Sequence, residues 1–188
     1  MNIKRYIIPS ILSVAMAAGL SSCLGDDDDN SYDIAQWRNE NETYFTRMQD
    51  TVFPDGSGRK VFESLSPVWA PTVSILAQWH NDRSQTAASL VPMDNSTIDM
   101  VYEGKYYNGT IFDASYNHSS DSIYSCKPID MIVGVHAVLT NMHVGDSVTC
   151  VIPSDAGYGA SSSSIMPYST LIFNIKLKAI KAYEVSGK

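Results

Sequence analysis

Three segments of the chain alternate apolar residues with mostly polar ones, at positions 97–103, 148–152 and 170–178. This period of two is that of a β-strand with one face on a hydrophobic core and the other toward solvent. Asn108 and Gly109 follow the first segment, and an Asn-Gly pair favours the tight turn of a β-hairpin. The sequence therefore predicts antiparallel strands with one apolar face.

A short helical pattern lies between the first and second of these strands. One face of it is formed by Val135, Val138, Leu139 and Met142, and Gly145 follows its end. A sheet that packs one helix against its apolar face is an α+β arrangement. We therefore expect an α+β domain in the second half of the chain.

Residues 31–50 have a second helical pattern, whose apolar side is interrupted at Asn41. This side consists of Ile34, Trp37, Tyr44, Phe45 and Met48. Two interpretations are open. The favoured one is a helix that packs on its own domain, and the other is an arm that forms a homodimer through residues 31–50.

The stretch after this helix is rich in turn-forming residues. Pro-Asp-Gly-Ser-Gly at 54–58 predicts a turn that serves as a hinge. Residues 61–96 are apolar but contain three prolines, so they have room for one or two strands, of which 73–80 is the best candidate.

The N-terminus has the pattern of an export signal. Lys4 and Arg5 precede an apolar run over 6–20, which is too short for a permanent membrane-spanning helix. The run ends in Leu-Ser-Ser-Cys at 20–23, which resembles the lipobox of bacterial lipoproteins. That resemblance implies that Cys23 carries lipid and anchors the chain in a membrane. The alternative is an ordinary signal peptide that is cleaved nearby.

Four aspartates at 26–29 predict a solvated acidic tether, and their spacing is not that of a calcium loop. The run also resembles the export signal of some lipoproteins, which implies the outer membrane, on its periplasmic or cell-surface face. The chain thus divides into a signal peptide (1–22), a tether (23–30), a helical extension and hinge (31–60) and a folded domain (61–188).

Charge and cysteine content limit the partners and the cross-links. The net charge of −7 and the lack of a basic stripe argue against a nucleic-acid partner. Beyond Cys23, the cysteines are Cys126 and Cys150. A disulfide between them is compatible with an exported protein, but both also lie in apolar contexts where a free thiol packs well. The sequence leaves both alternatives open.

Four ordered blocks resemble the FK506-binding-protein (FKBP) type of peptidyl-prolyl cis-trans isomerase. They are VYEGKYYNGTIFDAS at 101–115, MIVGVHAVLTNMHVGD at 131–146, CVIPSDAGYGA at 150–160 and IMPYSTLIFNIKL at 165–177. The resemblance is best over 97–183. It implies a strongly curved antiparallel sheet wrapped around one short α-helix.

The resemblance also implies a set of site residues around an apolar cleft. Phe112 and Asp113 would form its wall, with Tyr102 bonded to Asp113, while the backbone N–H of Ile132 and the hydroxyl of Tyr158 would meet the substrate. The implied catalytic set is Tyr102, Phe112, Asp113, Ile132, Tyr158 and Phe173, and the implied substrate-binding residues are Met131, Val135 and Ile165. Ile132, Ile165 and Phe173 could equally be core residues. No residue between 115 and 131 is assigned to the cleft.

The reaction that such a cleft implies needs no nucleophile, metal or cofactor, and its partners are proline-containing polypeptides. The four histidines show no ligand spacing. Val135 stands where the family usually has a Trp, which predicts a deeper floor. Two functions are therefore expected: an isomerase acting on exported proteins, or a module that binds a peptide without turning it over.

Overall fold

The computed structural model describes residues 27–160 and 165–183, with side chains from residue 33 onward. The predicted signal peptide and Cys23 lie outside the described residues. Within the described residues, no helix is both long enough and apolar enough to cross a membrane.

Seven strands form one antiparallel sheet in the described part of the chain. They are β1 (Glu63–Leu65), β2 (Ile75–Trp79), β3 (Thr97–Tyr106), β4 (Ile111–Ala114), β5 (Tyr124–Cys126), β6 (Ser147–Ile152) and β7 (Leu171–Ala182). Their order is β1-β2-β6-β7-β3-β4, and β5 pairs with β3. The three predicted strands are confirmed as β3, β6 and β7, and they are adjacent in the middle of the sheet.

The Asn-Gly turn joins β3 to β4 as predicted. The N–H of Tyr106 donates to the carbonyl of Thr110 over 2.9 Å, and the N–H of Gly109 donates to the carbonyl of Tyr106 over 2.9 Å. Next to the turn, Lys105 is opposite Ile111, and a β-bulge at Phe112 then places Asp113 opposite Gly104.

Helix α2 (Val133–Leu139) packs on the concave face of the sheet. Its residues Gly134 to Leu139 are all buried, and Met142 of the predicted face is buried just after the helix ends. A Cβ on Gly134 would lie 2.4 Å from Cγ2 of Ile152, so the absence of a side chain lets α2 approach β6. The predicted α+β arrangement, with one short helix against a curled sheet, is confirmed.

Helix α1 (Asp27–Asp50) begins within the segment predicted as an acidic tether. It packs on its own domain, because Asn41 is fully buried and the N–H of Thr170 donates to Asn41 Oδ1 over 2.7 Å. The residue that interrupts the apolar stripe is thus the docking point of the helix. Homodimerisation through residues 31–50 stays a prediction.

The predicted hinge is a closed hairpin turn. The N–H of Phe53 donates to the carbonyl of Arg59, and the N–H of Val61 donates to the carbonyl of Thr51, both over 2.9 Å. Beyond it, the segment at 61–96 supplies β1 and β2, and β2 lies within the predicted range 73–80.

Both described cysteines are free thiols. Cys150 is buried on β6, and Cys126 is partly buried on β5. Burial raises the pKa of both thiols to about 12, so they pack as small apolar side chains. Of the two alternatives left open by the sequence, the structure has the unpaired thiols.

Candidate active site

An apolar cleft opens between the start of α2 and the concave face of the sheet. It is lined by residues from β3, β4, β7, the start of α2 and the turn after β6, namely Met100, Tyr102, Asp113, Met131, Ile132, Val135, Tyr158, Phe173 and Ile175. Seven of the nine residues implied by the sequence resemblance are in this lining.

The carboxylate of Asp113 is held by three neighbours. The hydroxyl of Tyr102 donates to Oδ2 over 2.7 Å, and the N–H of Ala114 donates to Oδ1 over 2.8 Å. Nε2 of His118 lies 2.9 Å from the same Oδ1. Burial and the hydrogen bond to Asp113 raise the pKa of the Tyr102 hydroxyl, so Tyr102 remains a protonated donor at neutral pH. The predicted Tyr102–Asp113 bond is therefore present.

Aromatic rings form one wall of the cleft. Phe112 meets Phe173 edge to face, with ring centroids 5.6 Å apart, and Tyr106 supports Phe112 at 5.1 Å. A Cβ on Gly104 would lie 2.7 Å from the ring of Phe112, so this glycine leaves the space in which the rings meet. Phe112 thus supports Phe173 and does not itself line the cleft.

Two polar groups at the cleft are available to a ligand. Among the described residues, neither the backbone N–H of Ile132 nor the hydroxyl of Tyr158 has a hydrogen-bond partner, and Tyr158 is 42% exposed. Burial and the nearby charge of Asp113 raise the pKa of Tyr158, which keeps its hydroxyl protonated. Both groups can donate to a carbonyl oxygen.

The floor of the cleft is narrow. Val135 is buried and has Met100, Met131 and Ile175 around it, and the free space inside is about 30 Å³. That is enough for a water molecule but not for a proline ring. Entry of a proline ring therefore requires a side chain such as Met131 to move, and a thioether chain has the rotational freedom to do so.

Ile165 is partly buried against the core and is not in the cleft lining. This residue of the implied substrate-binding set therefore lies outside the cleft.

Three residues that contribute to the site were missed by sequence reasoning. Met100 and Ile175 lie two residues from Tyr102 and Phe173, so the strand period alone could have placed them on the same face. A 3₁₀ turn at Ser115–Asn117 reverses the chain and brings His118 next to Asp113, and the sequence has no periodic signal for this turn.

No group of three or more His, Cys, Asp or Glu side chains within residues 33–160 and 165–183 is arranged to hold a metal ion. The chemistry that these side chains can supply is an apolar enclosure, hydrogen-bond donation and a fixed carboxylate.

Comparison with known families assigns residues 89–178 to the model described as FKBP-type peptidyl-prolyl cis-trans isomerase. The chain is 32% identical over 92 residues to the peptidyl-prolyl cis-trans isomerase Mip of Coxiella burnetii, covering 48% of this chain and 39% of Mip. It is also 32% identical over 92 residues to the FKBP-type 22 kDa peptidyl-prolyl cis-trans isomerase of Escherichia coli, covering 48% of this chain and 44% of that protein. The chain thus spans about two fifths of the length of these curated relatives.

Solved structures show the same fold. FkpA from Escherichia coli matches with a TM-score of 0.64 and 22% identity, over 82% of this chain and 64% of the other. A peptidyl-prolyl cis-trans isomerase from Pseudomonas syringae matches with a TM-score of 0.59 and 24% identity, over 78% of this chain and 94% of the other. The second match spans nearly the whole of that protein.

Proposed function

We propose that the chain, whose residues 89–178 match the FKBP-type peptidyl-prolyl cis-trans isomerase family, accelerates rotation about X-Pro peptide bonds. The observation that carries the proposal is the cleft itself. It combines the Tyr102–Asp113 bond with two donors, at Ile132 and Tyr158, that have no partner among the described residues, around an apolar floor.

The chemical problem is a resonance barrier. Rotation about a peptide C–N bond faces ~18–20 kcal/mol, and X-Pro bonds isomerise unaided in tens to hundreds of seconds. At the twisted transition state the amide loses its conjugation and part of its charge separation. An apolar enclosure therefore favours the twisted imide over the planar form, which water solvates better.

Each polar group has a distinct part in this mechanism. The N–H of Ile132 and the hydroxyl of Tyr158 donate to carbonyl groups of the peptide and so hold the chain on either side of the rotating bond. Asp113, fixed by Tyr102, places a carboxylate beside the imide that is losing its planarity. These contacts position a substrate, and positioning contributes to rate because it removes rotational freedom before the barrier.

We further propose that Cys23 is lipidated and holds the domain at the outer membrane, where it acts on exported proteins. The support is the apolar run with its small residues before Cys23. Mass spectrometry of the membrane fraction tests this directly. Anchoring is supported if the mature chain begins at an acylated Cys23 and the acylation is lost in Cys23→Ser. An unmodified N-terminus at another residue contradicts it.

The isomerase proposal is tested by cis-trans exchange of a short X-Pro peptide, observed by NMR. We expect the chain to accelerate exchange. In the double variant Tyr158→Phe, Asp113→Ala, we expect this acceleration to be smaller by roughly tenfold or more. Tyr116→Phe is the matched control, because Tyr116 is exposed and outside the cleft.

The narrow floor at Val135 favours the second candidate function, a module that holds a peptide without turning it over. The same NMR experiment separates the two. Peptide signals that shift on titration without accelerated exchange would favour the binding module and contradict the isomerase.

A further inference from the structure

Helix α1 is bonded to residues 166–170, which we call the pre-β7 segment because it leads into β7. The N–H of Thr170 donates to Asn41 Oδ1 over 2.7 Å, and the Thr170 hydroxyl donates to the Asn41 carbonyl over 3.0 Å. One turn earlier, Nε1 of Trp37 donates to Ser169 Oγ over 3.2 Å. Neighbouring positions of one helix therefore hold neighbouring positions of this segment.

The pre-β7 segment is in turn bonded to the turn that carries Tyr158. The N–H of Tyr168 donates to the carbonyl of Gly159 over 2.9 Å, directly after Tyr158 in the chain. The guanidinium of Arg38 lies 4.8 Å from the centre of the Tyr168 ring, which adds a third contact from α1. A change in the position of the pre-β7 segment is therefore transmitted to Tyr158 through one hydrogen bond.

A second route runs from α1 to the aromatic wall. The ring of Trp37 meets the ring of Tyr106 edge to face at 5.6 Å, and Tyr106 supports Phe112 at 5.1 Å. The hydroxyl of Tyr106 also accepts the N–H of Met166 over 3.3 Å, so this ring joins the wall to the pre-β7 segment. Trp37 thus contacts both structures that flank the cleft.

The polar atoms in this contact are buried. Asn41, Ser169 and Thr170 are 0%, 4% and 2% exposed. Buried polar groups that lose their partners are strongly destabilised, so intermediate positions of the helix are disfavoured. Docking of α1 is therefore close to all-or-none.

We propose that α1 is a positioning element of the cleft, in which Trp37 and Asn41 hold the pre-β7 segment, and through it Tyr158, in the arrangement that binds a proline-containing peptide. The peptide-binding part of this inference rests on the proposed function. Because coupling between two sites is reciprocal, bound peptide stabilises the docked helix by the same factor by which the docked helix favours the peptide.

The test uses the full chain, kept soluble in phospholipid nanodiscs, and the double variant Trp37→Phe, Thr170→Val. These changes keep an aromatic ring at position 37 and the side-chain shape at position 170, but they remove two of the hydrogen bonds between α1 and the pre-β7 segment. At a temperature where circular dichroism shows full folding, we expect the Kd of an X-Pro peptide to rise ~3–10-fold, because small displacements of positioning groups have effects of this order or larger. Trp37→Phe, Thr170→Ser restores the hydroxyl and is expected to recover part of the affinity.

Met48→Ala is the matched control. Met48 is half-buried on the same helix, about three turns from Trp37. We expect it to lower the melting temperature without changing the peptide Kd. If the double variant does the same, so that it loses stability but keeps its Kd, the contact is structural and the inference is wrong.

A second readout keeps the inference separate from the proposed function. If the unchanged chain binds no peptide, the proposed function fails, and hydrogen exchange then decides on the positioning role. We expect backbone amides at 156–160 to exchange several-fold faster in the double variant than in Met48→Ala. Equal protection in the two variants overturns the positioning role of α1.

Discussion

The two helices of the molecule cover the sheet in opposite ways. In α2, every residue from Gly134 to Leu139 is buried, and the contact with the concave face is apolar. In α1, among the side chains described from residue 33 onward, only Asn41 is buried, and the contact depends on its hydrogen bonds to Thr170. Helix α2 is therefore part of the hydrophobic core, whereas α1 packs on the outside of a domain whose core is complete without it.

This difference separates stability from positioning. Apolar packing stabilises the whole sheet, because the same residues line the core and the floor of the cleft, as Val135 does. Hydrogen bonds at one docking point bury little apolar surface, but they fix the position of α1 relative to the sheet. Substitutions in α2 should therefore unfold the domain, whereas substitutions in α1 should release the helix and leave the sheet intact.

The largest effect is expected for Leu139→Ala on α2. Leu139 is 0% exposed, and removal of its side chain leaves a cavity in the core, so we expect a loss of about 3 kcal/mol in the free energy of unfolding. Urea denaturation measures it. The control is Leu90→Ala, which is exposed and should change stability by less than about 0.5 kcal/mol. A loss below about 1 kcal/mol at Leu139 would contradict the assignment of α2 to the core.

A smaller effect is expected for Asn41→Ala on α1. The variant leaves the buried N–H of Thr170 without an acceptor, which costs about 2 kcal/mol. We expect the loss to appear as an early transition of α1 alone, before the sheet unfolds. Because Trp69 and Trp79 also emit, the Trp37 signal is the part of the fluorescence change that Trp37→Phe removes. Asn39→Ala, exposed on the same helix, is the matched control. A single transition in which the Trp37 signal and the sheet unfold together would remove the distinction between the two helices.

The sequence is sufficient to predict α2 and the central strands but not the way α1 docks. Periods of two and of 3.6 reveal which face is apolar, and Phe173 and Val135 fall on such faces. Asn41 carries the opposite signal, since a polar residue in an apolar stripe is expected to weaken a contact. Its partner Thr170 is 129 residues away in the chain, so no local pattern reveals the pair.

The same limit applies within the site. The Tyr102–Asp113 bond could be inferred because the resemblance covers both residues, and the two lie on paired strands. His118 follows a 3₁₀ turn in a stretch where the resemblance is poor. A single hydrogen bond made by an exposed side chain has no periodic signature, so it becomes visible only when the turn is built.

Asp146 supplies a test at the turn between α2 and β6. Desolvation would raise the pKa of its buried carboxyl, but hydrogen bonds from Thr86, the His143 N–H and Asn81, with the Arg83 ion pair, lower it below its ordinary value. A depressed native pKa means that the ionised form contributes stability above the unfolded value of about 3.9 and loses it as pH falls through the lower native value. Asp146→Asn is expected to cost about 1.5 kcal/mol at pH 7 and less at pH 3, which lies below the unfolded pKa.

Denaturation of both proteins at pH 7 and pH 3 measures this difference. Asp33→Asn is the control, because Asp33 is exposed on α1. If the gap between Asp146→Asn and the unchanged chain stays constant with pH, the carboxylate charge is not what stabilises the turn, and the contact at the end of α2 is better described as packing alone.

The smallest effect is expected for His118→Ala. This variant tests whether an exposed hydrogen bond contributes to activity in a site that is otherwise formed by apolar packing. Asp113 keeps the Tyr102 hydroxyl on Oδ2 and the Ala114 N–H on Oδ1, so loss of His118 removes one of three partners. The His118 side chain is 43% exposed, and solvent screening limits such a pair to about 0.5 kcal/mol. We expect kcat/KM for an X-Pro peptide to fall about two- to threefold, with partial recovery in His118→Gln, which retains a side-chain donor.

His80→Ala is the control for this last variant, because His80 contacts Thr149 on the sheet and does not reach the cleft. A fall of tenfold or more in His118→Ala would mean that Asp113 depends on its exposed partner more than on Tyr102. Exposed hydrogen bonds would then fix the geometry of the cleft, as buried hydrogen bonds fix the position of α1. Apolar packing of α2 would account for the stability of the site but not for its geometry.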